Sequence, residues 1–381
     1  MANTLTGLIP DLYEALDQVS REMTGFIPGV SRSASAARAA LNQNVSVPIT
    51  SAATTATNTP GVNAPDTGDE TVDNVDIAIT KSKHVAVRWN GEETKGLENA
   101  GTFSTIQADR FYQAMRALVN EIESDLWLAA YKGASRAYGT AGTAPFGTAA
   151  DMTDFSGVLR ILEENGAPTN DLQLALGHAA IGNLRGKQSG LFKVNEAGSA
   201  DMLRNGMTER VMGMAIRHSH AIGVHTKGTG ASYLINDTTP AIGDYVIGAD
   251  GGTGTILAGD IVTFAGTATK YVANTALSGG SFEIGRPGLT AAETDDDAIT
   301  VGNSYTPNVA FARSAIVLAT RAPALPKGGD AGDDAIQVTD PLTGLTFEIA
   351  VYRQFLQTVY HVRLAWGCKA VKSAHIALLA G

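Results

Sequence analysis

Residues 106–132 read IQADRFYQAMRALVNEIESDLWLAAYK. Ile106, Phe111, Met115, Leu118, Val119, Ile122, Leu126 and Ala130 recur at three- and four-residue spacing, the apolar stripe of one long helix. Asp109, Arg110, Arg116, Glu121 and Glu123 read as lying largely off that stripe. Ser104 and Gln107 match an S-x-x-Q capping box at its start, and Gly133 ends it. At 1.5 Å per residue the rod is roughly 40 Å long. Its predicted core is Phe111, Met115, Leu118, Ile122 and Leu126.

Just before the rod, Val45, Val47 and Ile49 alternate like a strand, and alternation returns at Val75, Ile77 and Ile79 and again at Val85, Val87 and Trp89. Between them ITSAATTATNTPGVNAPDTGDETVDN (49–74) has almost no large apolar residue. Two strands joined by so long a polar stretch predict a projecting hairpin, and long loops of this kind are usually functional or disordered. Asp66, Asp69, Glu70, Asp73 and Asp76 make it acidic, with no Lys or Arg between Arg38 and Lys81. Such a surface is either simply solvated or complementary to a basic partner. Further toward the N-terminus, Leu12, Leu16, Val19 and Met23 predict a helix over 10–23 ended by Gly25 and Pro28, and alanine-rich Ser31–Asn42 predicts a second. One narrow stripe reads as an arm that packs on something else.

Beyond the rod, a Gly/Ala-rich linker (139–150) precedes a helix at Phe155–Asn165, a buried-type strand at Leu172–Leu176 and a helix at Ala179–Arg185. From about 223 to 307 short strands at Tyr233–Ile235, Tyr245–Ile247, Ile261–Phe264, Phe282–Ile284 and Ala298–Val301 alternate with turn signals, an all-β module that interrupts an α/β pattern. The pattern resumes at Val309–Thr320 and ends in strands at Thr346–Val351 and Thr358–Trp366.

The chain has 381 residues, room for two or three domains with a sizeable core. With 44% hydrophobic and 17% charged residues it is not a disordered chain. Its 42 glycines and 6% aromatic content imply many turns and few bulky anchors. A net charge of −10 argues against grip on nucleic acid by counterion release. No apolar run exceeds about six residues, so no membrane span is expected. The N-terminus lacks the basic and apolar regions of a secretory signal, and cytoplasmic synthesis is expected.

No catalytic constellation emerges. His218, His220 and His225 are the best metal candidates, because H-x-H puts two imidazoles on one strand face, but no carboxylate lies between 217 and 232. Ordinary polar histidines are the preferred reading. Gly182–Lys187 is too short for a phosphate-binding loop and lacks the Ser/Thr for magnesium. Asp295, Asp296 and Asp297 lack calcium-loop spacing and read as a solvated or partner-facing loop. The single cysteine, Cys368, allows no intramolecular disulfide and sits in an apolar strand pattern. The expectation is no enzyme, no cofactor and no metal.

Three stretches then carry a resemblance. They are VMGMAIRHSHAI (211–222), LAGDIVTFAG (257–266), and NVAFARSAIVLATRAPALP (308–326) followed by VRLAWGCKAVKSAHIALL (362–379). With the order arm, hairpin, long helix, α/β domain, β insertion and returning strands, the chain resembles the major capsid protein of tailed bacteriophages, in the branch with an inserted β-barrel domain. The resemblance implies an α+β fold divided into an N-terminal arm (1–43), an extended hairpin loop (44–90), a peripheral domain with a spine helix (91–165), an axial α/β domain (166–222), an inserted barrel-like domain (223–307) and a return to both domains (308–381). It implies hexamers and pentamers of an icosahedral shell around phage DNA, assembled in the host cytoplasm and ending in the virion. DNA is enclosed without sequence-specific binding, scaffolding and portal proteins are the implied partners, and no membrane is involved. Asp66, Asp69, Glu70, Asp73, Asp295, Asp296 and Asp297 are the acidic interface candidates, and Arg353, Arg363, Lys369 and Lys372 the basic ones, since no acid follows Glu348. A cargo-enclosing shell of the same fold and a secreted β-rich adhesin are the alternatives.

Overall fold

The structure is a computed structural model, and it describes residues 20–35, 37–49, 55, 57, 58, 60, 73–99, 103–187, 210–237 and 240–381. The rod is a 30-residue helix, Phe103–Lys132, about 45 Å long. Met115, Leu118, Ile122, Leu126 and Ala130 are buried as their spacing predicts. Phe111 is partly buried and meets the Tyr360 ring edge-on at 5.3 Å between centroids. The helix starts at Phe103, ahead of Ser104, so the S-x-x-Q pattern lies inside the first turn and does not mark its end. Leu118→Ala should cost about 2–5 kcal/mol through the cavity it leaves. Thermal unfolding would register this, and an unchanged midpoint would contradict the packing.

The helix lies against a six-stranded sheet. Its order is Ser31–Ala34, Ile316–Arg321, Gln357–Ala370, Thr346–Gln354 and Asp334–Thr339, with Lys81–Asn90 also paired to Gln357–Ala370. Ser31–Asn42 is therefore not a helix. Ser31–Ala34 is a strand, parallel to Ile316–Arg321, and Ala39 bridges to Pro323. Alanine's preference for helix is worth less than a kilocalorie per residue, whereas the edge of Ile316–Arg321 offers backbone groups that need partners. Of the helix expected over 10–23, residues 10–19 lie outside the described residues and 20–23 are not helical. A short helix, Phe26–Gly29, follows and contains Pro28, which a first turn tolerates because its N–H would be unpaired there anyway. Phe26 and Ile27 are fully buried in the main core, so this segment packs on its own chain.

A twelve-stranded ladder forms the other half. Its α/β part places Arg136–Gly139, Ile376–Ala380, Pro307–Ala312, Leu172–Leu176, Met214–His218 and Arg210–Val211 side by side. Helices Thr153–Glu164 and His178–Lys187 contribute to its core, including Phe155, Leu162, Ile181 and Leu184. Val309–Thr320, read as one run, is two strands in two different sheets, separated by the turn Arg313–Ala315. Arg136–Gly139, where the linker was expected to begin, is itself a strand, and Lys270–Val272, Asp334–Thr339 and Ile376–Ala380 are additional ones.

Six strands between residues 233 and 301 continue the ladder: Tyr233–Ile235, Val246–Asp250, Ile261–Phe264, Lys270–Val272, Ser281–Glu283 and Ala298–Val301. A bridge between Ala273 and Ile284 joins the ends of Lys270–Val272 and Ser281–Glu283, the two strands at opposite ends of this six-strand path, and so closes it. Ile235, Ile247, Val262, Tyr271 and Phe282 fill its interior. The segments entering and leaving lie together, with His225 and Tyr305 exchanging backbone hydrogen bonds of 2.8 and 3.2 Å.

Candidate assembly surfaces

The hairpin expected to project consists of Asn44–Ile49 antiparallel to Asp73–Ala78. Its base is tied down three ways. Ile77 and Ile79 are fully buried against Val317, Ala319 and Ala365. At Gly367 a Cβ would sit 1.9 Å from the Ala78 carbonyl, so this crossing requires glycine. Lys81 reaches Glu121 and Asp125 on the long helix at 2.8 Å each, while Trp366 Nε1 donates to the same Asp125 at 2.9 Å. Farther out, Val47 and Val75 sit opposite each other, and they and Ile49 are only partly covered. Asp66, Asp69 and Glu70 lie outside the described residues, Asp73 is placed in its strand, and Asp76 is exposed and accepts from Ser46 Oγ at the hairpin base.

The N-terminal segment is held by a buried carboxylate that the sequence reading put off the stripe. Glu123 is fully buried. Its Oε1 accepts from the backbone N–H of Gly25 (2.5 Å) and Phe26 (2.8 Å) and from Ser219 Oγ (2.6 Å), and its Oε2 accepts from Ile27 N–H (3.0 Å). One side chain thus joins the long helix, the N-terminal segment and the α/β sheet. The signal was present: Glu123 is four residues after Val119 and three before Leu126, a position on the stripe.

Nearby, Arg21 pairs with buried Asp340 at 2.5 Å, and Arg116 Nε meets both Glu22 oxygens at 2.9 and 2.7 Å. The Arg116 hydrogen bonds hold the Glu22 carboxyl down at about 2, from an ordinary 4.5. A lowered carboxylate stabilises the folded state above its unfolded value, and that contribution disappears as pH falls from about 4.5 through about 2. Hydrogen-exchange protection at residues 20–34, taken against the intrinsic rate at each pH, should therefore fall over that window, and Arg116→Ala should lower it already at neutral pH. Equal exchange in variant and parent at pH 7 would contradict the tether.

The basic candidates divide. Arg363 is mostly buried, with Nε 2.7 Å from Glu348 Oε1 and Nη1 3.0 Å from Asp330 Oδ2. Arg38 meets the other Glu348 oxygen at 2.8 Å. Lys369 Nζ donates to the Asp76 carbonyl at 3.1 Å. Arg353 is 78% exposed with a long 3.4 Å pair to Asp333, and Lys372 is exposed. Asp297 caps its own turn, accepting from Thr294 N–H (2.7 Å) and Oγ1 (2.6 Å), and Asp295 accepts from Asp237 N–H at 3.2 Å. Asp296 is exposed at φ +66°.

The three histidines do not converge. His218 Nε2 is 2.8 Å from His178 Nδ1, His220 Nδ1 is 3.0 Å from the Met23 carbonyl oxygen, and His225 is buried. His225 Nε2 lies 2.8 Å from Asp260, which also accepts from the N–H groups of Gly228 and Leu257. The His225 ring meets Tyr131, at the end of the long helix, at a tilt and Tyr305 edge-on, so this cluster joins the β module to the rod. Gly259 is at φ +101° with Tyr131 where a Cβ would be. Among the described residues no group of three or more His, Cys, Asp or Glu gathers as a metal site, and no helix is long and apolar enough to cross a membrane. Cys368 is a free, partly buried thiol pushed up to about 12 by burial.

No family model matches this chain, and no curated protein matches it. Solved structures do. The chain is similar to the protein in a capsid structure of the cyanophage P-SCSP1u, with a TM-score of 0.52 at 11% identity, covering 100% of this chain and 95% of that one. It also matches a chain of Mycobacterium phage Che8 (TM-score 0.47, 12% identity, 99% and 98% covered) and the capsid of a native GTA particle (0.46, 12%, 98% and 96%). The likeness to the cyanophage protein runs end to end and shows a shared fold, mixed α/β.

Proposed function

We propose that this chain is the major capsid protein of a tailed phage, a structural protein and not an enzyme, assembling into an icosahedral shell that encloses phage DNA. The observation that carries the reading is the end-to-end likeness to a cyanophage capsid protein. The architecture supports it, because a hairpin anchored at its base and half-covered farther out spreads contacts over neighbours and encloses no cleft. Residues 1–43 are the arm, 44–90 the extended loop, 91–165 and part of 308–381 the peripheral domain, and 166–222 with the rest of 308–381 the axial domain, with one change: Arg136–Gly139 and Thr153–Glu164, expected in the peripheral part, join the α/β sheet and its core and so go with the axial domain. Residues 223–307 are an inserted barrel, an assignment supported by the paired ends at His225 and Tyr305.

Hexamers and pentamers are the building units, scaffolding and portal proteins the partners, and the virion the destination. Contacts between subunits use the acidic hairpin (Asp66, Asp69, Glu70, Asp73) against cations at the other end of the chain. Arg353 and Lys372 are the available ones, whereas Arg363 and Lys369 already serve contacts within the subunit. Asp295 and Asp297 shape their own loop, which leaves Asp296 as its outward charge. Isolated surface pairs are worth about 0–1 kcal/mol, so the effect comes from repetition. Sedimentation of the purified chain over a salt series tests this. Fast-sedimenting particles that assemble more slowly as salt rises are expected, and a monomer at every concentration would overturn the reading.

A further inference from the structure

The outer strand of the six-stranded sheet, Asp334–Thr339, pairs on one side with Thr346–Gln354 and has no strand on its other side among the described residues. Its pairing runs uninterrupted from Asp334↔Val351 to Thr339↔Thr346, without a bulge. Edges of this kind are normally blunted by lysine, proline, a bulge or an inward charge. Here Ala335-Ile336-Gln337-Val338-Thr339 carries none of these, and Ile336 is 52% exposed.

The bonding pattern says which groups are free. At the closed end of the hairpin Asp340 N–H donates to the Leu345 carbonyl at 2.9 Å. Bonding alternates along an antiparallel ladder, so residues 334, 336 and 338 bond inward. Ala335, Gln337 and Thr339 then aim their backbone groups outward.

We propose that this edge is an interface with a second copy of the same chain, the two Asp334–Thr339 strands pairing antiparallel about a two-fold axis at Gln337. The sequence is self-complementary in that register. Gln337 meets its own copy, Ala335 meets Thr339, and Ile336 meets Val338 twice. Val338 already packs against the main core, so the Ile–Val pairs extend that apolar layer across the boundary. Parallel pairing in register would set Asp334 on Asp334, a destabilising like-charge pair. The antiparallel arrangement separates those carboxylates by roughly 20 Å, six residues of strand. A two-fold contact of this kind is isologous and closes on itself, so it joins pairs of subunits and adds nothing further along that edge.

The inference rests on the shell reading for its context and fails separately from it. Single cysteines at Gln337→Cys and Asp334→Cys are introduced into the full chain. The native Cys368 thiol, protected by burial, serves as the unreactive background in the parent control. The purified protein, particle or free subunit alike, is oxidised with copper phenanthroline and run on a non-reducing gel. A bonded antiparallel pair holds its Cα atoms about 5.5 Å apart, inside the range a disulfide spans. Gln337→Cys should give on the order of tenfold more covalent dimer than Asp334→Cys, whose copies lie too far apart to bridge. Ile336→Lys added to Gln337→Cys should remove that dimer. Equal dimer from both positions would overturn the antiparallel register. Particles that form normally while Gln337→Cys stays uncrosslinked would overturn the interface and leave the shell reading standing. An uncrosslinked free subunit at assembly concentration would overturn it too.

Discussion

Glu123→Ala should be among the most damaging single substitutions in the chain. It strips three backbone N–H groups and the Ser219 hydroxyl of their acceptor inside a fully buried site. Bonds to a charged group are worth about 1.5–3 kcal/mol each, and they are not additive when one residue supplies them all. A loss of about 3–5 kcal/mol is expected, a large part of a typical stability of about 5–15 kcal/mol. The unfolding midpoint should fall by on the order of 10 °C. Hydrogen exchange should rise first at Gly25, Phe26 and Ile27. Ser219→Ala removes one of the four partners and should cost a fraction as much. If Glu123→Ala melts like the parent, the carboxylate does not join these three parts of the fold.

Deleting residues 55–72 should have the largest effect on assembly. The buried end of the hairpin, at Ile77 and Ile79, is left untouched, and so are the Lys81 pairs to the long helix. The subunit should therefore stay soluble and keep its unfolding midpoint. What it loses is the acidic stretch proposed to meet neighbouring subunits, and particles should not form. Sedimentation and a melting curve on the same preparation separate the two effects. Normal particles would show that the loop is dispensable, and a lowered midpoint would show that it belongs to the subunit core.

Much of this organisation is legible in the sequence where side-chain period and burial agree. The long helix is the clearest case, because its stripe at Met115, Leu118, Ile122 and Leu126 faces one core over its whole length. Tyr233–Ile235, Ile261–Phe264 and Ala298–Val301 are bounded by turn residues and come out at the expected positions. Ile376–Ala380 is harder to read. It is buried on both faces between Arg136–Gly139 and Pro307–Ala312, so its residues do not alternate and nothing in five apolar positions distinguishes strand from helix.

Ser31–Ala34 fails for a different reason. Its conformation is imposed by a strand nearly 300 residues away, and local propensity is too weak to resist. The polar anchors divide in the same way. Glu123 was readable from its spacing to Val119 and Leu126 once a charged residue was allowed on the stripe. Asp260 stands in the Gly-Asp turn of LAGDIVTFAG, but its partners His225, Gly228 and Leu257 meet it only through the folded β module. Motif and contact are separated there by the closure of the ladder, which no window of sequence displays.

The central claim is that this chain builds a closed shell from copies of itself. Cryo-electron microscopy of the expressed and purified full chain tests it most directly. The account predicts closed particles built of six-fold and five-fold clusters, with the Asn44–Ala78 hairpin of each subunit lying on a neighbour. A dispersed monomer, or an assembly in which that hairpin touches no second copy, would contradict it.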